Sequence, residues 1–283
     1  MQMLLSLSSF IAAWRDYPAD VNRVLGQRYT VQAMVGAGSY GLTYKCIDQL
    51  SGKLVAVKQA RPSKGAYAKQ LLRKEAAILK SLNHPRIPAY LDMFTEHRDD
   101  YLVMSFLSGD TLENLIFERG RKYGEKDCIR ITLQLLDPVN YIHSQGFVHL
   151  DLRIPNVLFQ DNQIYLIDYG LARAIGEPPL PPLRRPRRWF NRRSADPSRP
   201  IKDSVEASDL QDIGHFMLFI LYSGYEPDHH SGSSEERSWQ EELQLSQPLK
   251  EMIKRLLQLS EPYSSSSAFM NDLEILSGNM LDS

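Results

Sequence analysis

The rhythm of hydrophobic and polar positions changes partway along the chain. Over Tyr29 to Ile47, and again over Leu54 to Gln59, β-forming residues alternate with polar ones, the period-two pattern of strands with one covered face. The intervening Asp48-Gln49-Leu50-Ser51-Gly52 reads as a hairpin turn. From Ala66 to Leu82 the period lengthens, and Leu71, Glu75, Ile78 and Leu82 fall on one helical face. The Glu75 carboxylate then lies among apolar side chains, where it needs a partner. After Asn83-His84-Pro85 breaks that helix, Tyr101 to Leu107 reads as a buried strand, and Ser108-Gly109-Asp110 ends it before a helix near Thr111.

Residues 126–145 return to a helical apolar pattern, interrupted by Pro138, which predicts a kink or a local irregularity. Short strands follow near Val157 to Phe159 and Ile164 to Ile167, and a further helix is predicted around Leu210 to Tyr222. Between them, Glu177 to about Pro200 is rich in Pro and Arg and reads as a long loop. Strands first and helices later predict two lobes.

Composition narrows the class without changing this division. With 43% hydrophobic and 24% charged residues, the 283-residue chain fits an ordinary globular protein with a substantial core. A formal net charge of -1 gives no overall sign of a nucleic-acid or membrane protein. The two cysteines, Cys46 and Cys128, lack metal-ligand spacing and are expected to be buried thiols. Met3 to Trp14 is mostly apolar, but no Lys or Arg precedes it and no small-residue cleavage pattern follows, so a secretory signal is not expected. Residues 1–27 read as an N-terminal helical extension packed on the main domain, with a membrane-surface anchor as the alternative. The most apolar run elsewhere, Phe216 to Tyr222, is far shorter than the about 20 residues a transmembrane helix needs, so no transmembrane segment and a cytoplasmic location are expected.

The candidate chemistry begins at Gly36-Ala37-Gly38-Ser39-Tyr40-Gly41, a G-x-G-x-x-G match. Dinucleotide-binding folds place this spacing at a strand-to-helix turn. Here the residues after Gly41 alternate as a strand, so the loop joins two strands, and its glycines let backbone N–H groups approach phosphates. Val55-Ala56-Val57-Lys58 follows, with Lys58 on the face shared by Ala56 and Leu54; Glu75 is its natural counter-ion, holding the ammonium against the α- and β-phosphates.

His149-Leu150-Asp151-Leu152-Arg153-Ile154-Pro155-Asn156, and then Asp168-Tyr169-Gly170 at a strand end, form the strongest signal. Asp151 can accept the proton of a substrate hydroxyl, Asn156 and Asp168 offer hard oxygen ligands to magnesium bridging phosphates, and Arg153 can neutralise a transferring γ-phosphoryl group.

With these motifs in this order, the chain from about Arg28 to Leu276 resembles a Hanks-type (eukaryotic-like) bacterial Ser/Thr protein kinase. The resemblance implies an α+β, two-lobe protein-kinase fold, with an antiparallel β-sheet N-lobe over 28–104 and a hinge and mainly helical C-lobe over 105–283. The activation segment would be the Pro- and Arg-rich stretch of about 177–200. ATP and magnesium (Mg2+) would be bound, and the γ-phosphoryl group transferred to a protein Ser or Thr hydroxyl. The resemblance also implies adenine contacts from the backbone of Ser105 and Leu107 after a Met104 gatekeeper, with the ring between Ala56 and Leu158. Thr43 stands where the family usually has valine. Leu79, His149 and Tyr169 would stack into a spine, and Asp209 would anchor the catalytic loop.

Four departures stand out. Leu150 replaces the arginine usual before the catalytic aspartate, removing the common clamp for an activation-loop phosphate. Arg153 stands where Ser/Thr kinases mostly carry lysine, so Tyr specificity stays open beside Ser/Thr. No A-P-E motif precedes Ser208, and the region of Glu261-Pro262-Tyr263-Ser264 lacks the arginine that pairs with that glutamate in the family. Arg184, Arg185, Arg187, Arg188, Arg192, Arg193 and Arg199, with Trp189 and Phe190 among them, make 184–199 strongly basic. That stretch is either a solvated loop, a recruiter of acidic protein substrates, or a nucleic-acid contact. A small-molecule kinase of the kinase-like superfamily and a nucleotide-binding pseudokinase scaffold are the rival functions.

Overall fold

In the computed structural model of the protein, residues 16–178, 202–226 and 237–280 are described. The expected extension over 1–27 is described only from Asp16, and this part carries a short strand, β1 (Val24–Leu25), among turns. The arginine-rich stretch 184–199 lies outside the described residues. The chain divides into two compact units, one of Met1–Leu107 with Tyr169–Leu171, the other of Ser108–Asp168 with Ala172–Ser283.

In the first unit, β1, β2 (Tyr29–Ala37), β3 (Gly41–Asp48), β4 (Leu54–Ala60), β5 (Tyr90–Glu96) and β6 (Asp99–Ser105) form an antiparallel six-stranded sheet in the order β1-β2-β3-β4-β6-β5. Alternation sorts its side chains. Tyr29, Val31, Tyr44, Cys46, Val55, Val57, Tyr101 and Val103 bury together on one face. Helix α1 (Gly65–Ser81) follows β4 and buries Leu71, Leu72, Glu75, Ala76, Ile78 and Leu79. The short segment Tyr169–Leu171 packs against α1, with Tyr169 buried. At the β3–β4 turn, the Asp48 carboxylate accepts from Arg28 at 2.6 and 2.9 Å and from the Ser51 hydroxyl at 2.6 Å, which pins the hairpin.

The second unit is mainly helical. It begins with β7 (Asp110–Thr111) and α2 (Leu112–Phe117), whose first turn is capped by the Thr111 hydroxyl accepting from the Asn114 N–H at 3.1 Å. Helix α3 (Glu125–Ser144) follows, and Pro138 lies buried inside it although proline contributes no N–H donor. Strands β8 (Phe147–Val148), β9 (Val157–Gln160), β10 (Gln163–Leu166) and β11 (Arg173–Ala174) form two small sheets, β10-β9-β7 and β11-β8. Helices α4 (Glu206–Tyr222), α5 (Trp239–Glu242), α6 (Gln247–Leu256) and α7 (Ser266–Asn279) complete the unit. The core of α4 (Ile213, Phe216, Met217, Ile220) is nearly all apolar, so the buried Asp209 and Asp212 within it stand out. Cys46 and Cys128 are free and buried, and burial pushes both thiols up to about 12. Among the described residues no helix is long and apolar enough to cross a membrane.

Candidate active site

In the first unit the glycine loop closes the β2–β3 hairpin. Gly36 pairs with Thr43 and Ala37 with Leu42, so Gly38, Ser39 and Tyr40 form the tip, and the Gly38 N–H donates to the Gly41 carbonyl at 2.9 Å. Gly41 has a local reason to lack a side chain: an added Cβ would stand 3.1 Å from Cε of Lys58. Register across three strands aligns Thr43 with Lys58 and Leu102, and Lys45 with Ala56 and Met104. Thr43, Ala56, Lys58 and Met104 therefore share one face of the sheet, opposite the aromatic and valine core.

On that face the Lys58 ammonium donates to both carboxylate oxygens of Glu75, at 2.8 and 2.7 Å. Lys58 is 14% exposed and Glu75 2%, so the cation that an apolar helix face demanded of Glu75 is supplied from β4. Ser105 ends β6, its N–H donating to the Ala89 carbonyl and its hydroxyl accepting from the Ala89 N–H, both at 2.9 Å. Leu107, the last residue of this stretch of the unit, is half-buried.

A second cation at the glycine loop has no motif to announce it. Arg61 donates from Nε to Asp16 at 2.8 Å, from its backbone N–H to the Tyr40 carbonyl at 2.8 Å, and from Nη1 to the Gly38 carbonyl. Asp16 also accepts from the Ser63 hydroxyl at 2.6 Å. Its burial favours the neutral acid, but the hydrogen bonds from Ser63 and Arg61 outweigh that and hold the carboxyl below its ordinary range.

In the second unit the loop between β8 and β9 carries His149 to Asn156. Arg153 donates from Nε to Asp151 Oδ1 at 2.6 Å, and Asn156 Nδ2 donates to the Asp151 carbonyl at 2.9 Å and to Oδ2 at 3.0 Å. With its NH2 group engaged there, the Asn156 amide presents Oδ1 as its acceptor. The Ile167 N–H donates to the Asn156 carbonyl at 2.9 Å, which brings the strand end carrying Asp168 next to Asn156. Asp168 is exposed and has a left-handed φ of 63°, unusual for a residue other than glycine. Leu158 lies on β9, paired with Tyr165 on one side and Thr111 on the other.

The loop is held from below by fully buried Asp209. Its oxygens accept from the N–H of His149 at 2.8 Å and of Leu150 at 2.7 Å, and pair with His143 Nε2 at 2.9 Å. Burial works against the charge, yet the hydrogen bonds and nearby positive potential of His143 and His149 hold the Asp209 carboxyl below the usual range. The anchoring expected of Asp209 takes the form of these three contacts. The participation of His143 had no sequence signal beyond its place on the apolar face of a helix.

The nucleotide-type residues Gly36, Ala37, Gly38, Ser39, Tyr40, Gly41, Thr43, Ala56, Lys58, Met104, Ser105 and Leu107 all lie in the first unit; Leu158 lies in the second with Asp151, Arg153, Asn156 and Asp168. Of the residues expected to form a spine, Leu79 and Tyr169 belong to the first unit and His149 to the second, and each is buried. Among the described residues no three His, Cys, Asp or Glu side chains cluster as a closed metal cage. Two oxygen donors on adjoining backbone suit magnesium, which keeps waters and takes further ligands from phosphates.

Comparison with known proteins agrees with this geometry. The protein kinase domain family matches residues 29–186. A curated relative from Bacillus subtilis (strain 168), named "Probable serine/threonine-protein kinase YbdM", is 31% identical over 260 residues, covering 91% of this chain and 93% of that protein. The smooth-muscle myosin light chain kinase of Gallus gallus is 30% identical over 165 residues, 57% of this chain but 9% of that much longer protein. Among solved structures, the apo form of PpkA-294 superposes with a TM-score of 0.67 at 18% identity, covering 90% of this chain and 99% of that one, a likeness of fold. A family match over more than half the chain, together with a relative alike along nearly all of it, establishes that the chain belongs to the protein kinase family and is a protein kinase.

Proposed function

We infer that this protein kinase uses ATP with magnesium and transfers the γ-phosphoryl group to a Ser or Thr hydroxyl of a protein. The observation that carries the reading is the arrangement around Asp151, whose carboxylate is fixed by Arg153 and Asn156, with the strand end before Asp168 hydrogen-bonded to the Asn156 backbone. The serine/threonine assignment draws its support from the name of the Bacillus subtilis relative.

In this reading the glycine-loop amides cradle the phosphates, and Lys58, oriented by Glu75, neutralises the α- and β-phosphates. Asn156 and Asp168 would hold magnesium, which supplies charge neutralisation at the phosphate oxygens. Asp151 orients the substrate hydroxyl and accepts its proton as the oxygen bonds to the γ-phosphorus and the bond from that phosphorus to the β-phosphate oxygen breaks, releasing ADP. Arg153, beside Asp151 and half in solvent, faces charge building on the transferred group. Thr43, Ala56, Met104, Ser105 and Leu107 of the first unit would face the nucleoside.

The test is Asp151→Asn, which preserves shape and removes the proton acceptor. Phosphoryl transfer to a protein substrate should fall by roughly 10²- to 10⁴-fold while nucleotide affinity stays within about twofold. Wild-type turnover in the variant would remove Asp151 from its role. Phosphoamino-acid analysis of the product separates Ser/Thr from Tyr, and product formed only on small molecules would favour the rival kinase class.

A further inference from the structure

Helix α4 carries its two buried carboxylates, Asp209 and Asp212, one turn apart on the same face. Asp209 takes the His149 and Leu150 amides. Asp212 reaches the other side of the same loop: its Oδ2 accepts from the Leu152 N–H at 3.2 Å, and its Oδ1 accepts from the ammonium of Lys202. That ammonium also lies 3.4 Å from the Leu150 carbonyl oxygen. The backbone on both sides of Asp151 is therefore gripped by charged groups from outside the loop.

The loop needs such a grip. Leu150 has a φ of 64°, a left-handed conformation that a leucine adopts only when its surroundings impose it. A carboxylate as deep as Asp212 is itself unfavourable; burial pushes its pKa up, and the charge and hydrogen bond of Lys202 oppose that push. Neither residue belongs to the nucleotide or magnesium sets.

We propose that Lys202 and Asp212 are a positioning pair that holds the catalytic loop in its working shape and makes that shape depend on the seating of the chain at residue 202. The proposal rests on the reading of Asp151 as proton acceptor. In the family, the cation coupling this loop to the activation segment comes from the loop, at the position filled here by Leu150. In this chain the loop carries no such cation: the ammonium of Lys202 comes from beyond the segment and reaches the Leu150 carbonyl of the loop and the Asp212 carboxylate of α4.

The experiment compares wild type, Lys202→Met, Lys202→Arg and the double variant Lys202→Met/Asp212→Asn in the full chain, measuring kcat, KM for ATP, nucleotide Kd and thermal melting. Lys202→Met should lower kcat between about ten- and a hundredfold, as small misplacements of a catalytic group do, with KM and Kd for nucleotide within about twofold. Lys202→Arg, which keeps a cation, should recover most of the loss. The double variant removes both charges together, so it strands no buried carboxylate and should fold, yet kcat should remain low. Full kcat in Lys202→Met or in the double variant would overturn the proposal. So would a loss in which nucleotide affinity and melting temperature collapse along with kcat in the double variant, the mark of a purely structural role. If Asp151→Asn kept its turnover, the underlying reading of the base would fail instead, a result separable from these.

Discussion

The contact between Lys58 and Glu75 joins one ammonium to both oxygens of one carboxylate, at 2.8 and 2.7 Å. Replacing the carboxylate by an amide keeps the shape but removes its charge, and a hydrogen bond to a charged group is worth about 1.5–3 kcal/mol. Glu75→Gln should therefore lower kcat/KM for ATP by roughly ten- to a hundredfold. Steady-state kinetics at several nucleotide concentrations check this, and an unchanged kcat/KM would show that the pair does not orient Lys58 during turnover. At this scale much of the site was legible in the sequence, because a glutamate on an apolar helix face and a lysine on an apolar strand each needed an opposite charge. Leu150 was legible as a departure in residue type but not as a left-handed backbone, since leucine carries no preference for positive φ. Arg61 was not legible at all. Its link between Asp16 and the Gly38 carbonyl is made by chain folding across a long sequence separation, which no local pattern records.

Elements were legible where one physical rule governed them. Alternation in β3 and β4, and in β2 apart from register shifts between Val31 and Ala33 and between Met34 and Gly36, marked which side chains face the core, and the observed register places Thr43, Ala56, Lys58 and Met104 on one face. Boundaries shifted by a few residues: the helix expected from about Leu210 begins at Glu206, and the strand expected over Tyr101 to Leu107 spans Asp99–Ser105. Helix α3 runs on through Pro138, which lies buried within it. The α4 and α6 helices meet at a close approach: a Cβ on Gly214 would lie 3.0 Å from Cβ of Leu256 and 3.0 Å from Cδ2 of Leu257. Gly214→Val should accordingly destabilise the protein by about 1–3 kcal/mol through overpacking, read as a lower denaturant midpoint. An unchanged midpoint would mean that the two helices separate without cost.

For the molecule as a whole, the deepest ionised anchor predicts an acid-sensitive fold. The folded Asp209 pKa lies below its ordinary value, so below about pH 3.9 the unfolded chain binds the proton first. Stability from this group is present above that pH and is lost as pH falls through the folded pKa. Asp212 contributes with the opposite sign, since its folded pKa is raised and its share is lost as pH rises. Wild type should lose denaturant stability between about pH 4 and its acid transition, and Asp209→Asn, less stable at about pH 7, should show a shallower decline there. Parallel declines would remove Asp209 as the source. The division into two units was foreshadowed by the change from period two to helical periodicity and by the break at Ser108-Gly109-Asp110, while the membership of Tyr169–Leu171 in the first unit follows contacts that a linear pattern cannot show. The two sulfhydryls lead to a practical consequence. With Cys46 and Cys128 enclosed and both pushed up to about 12, thiolate-seeking reagents find no target on the native protein, and Ellman titration should count none before denaturation and both after it. A cysteine substituted for Leu50, 77% exposed at the β3–β4 turn, would then be the sole reactive handle, so a fluorophore could be attached at one defined point without first stripping the natural sulfur from the chain.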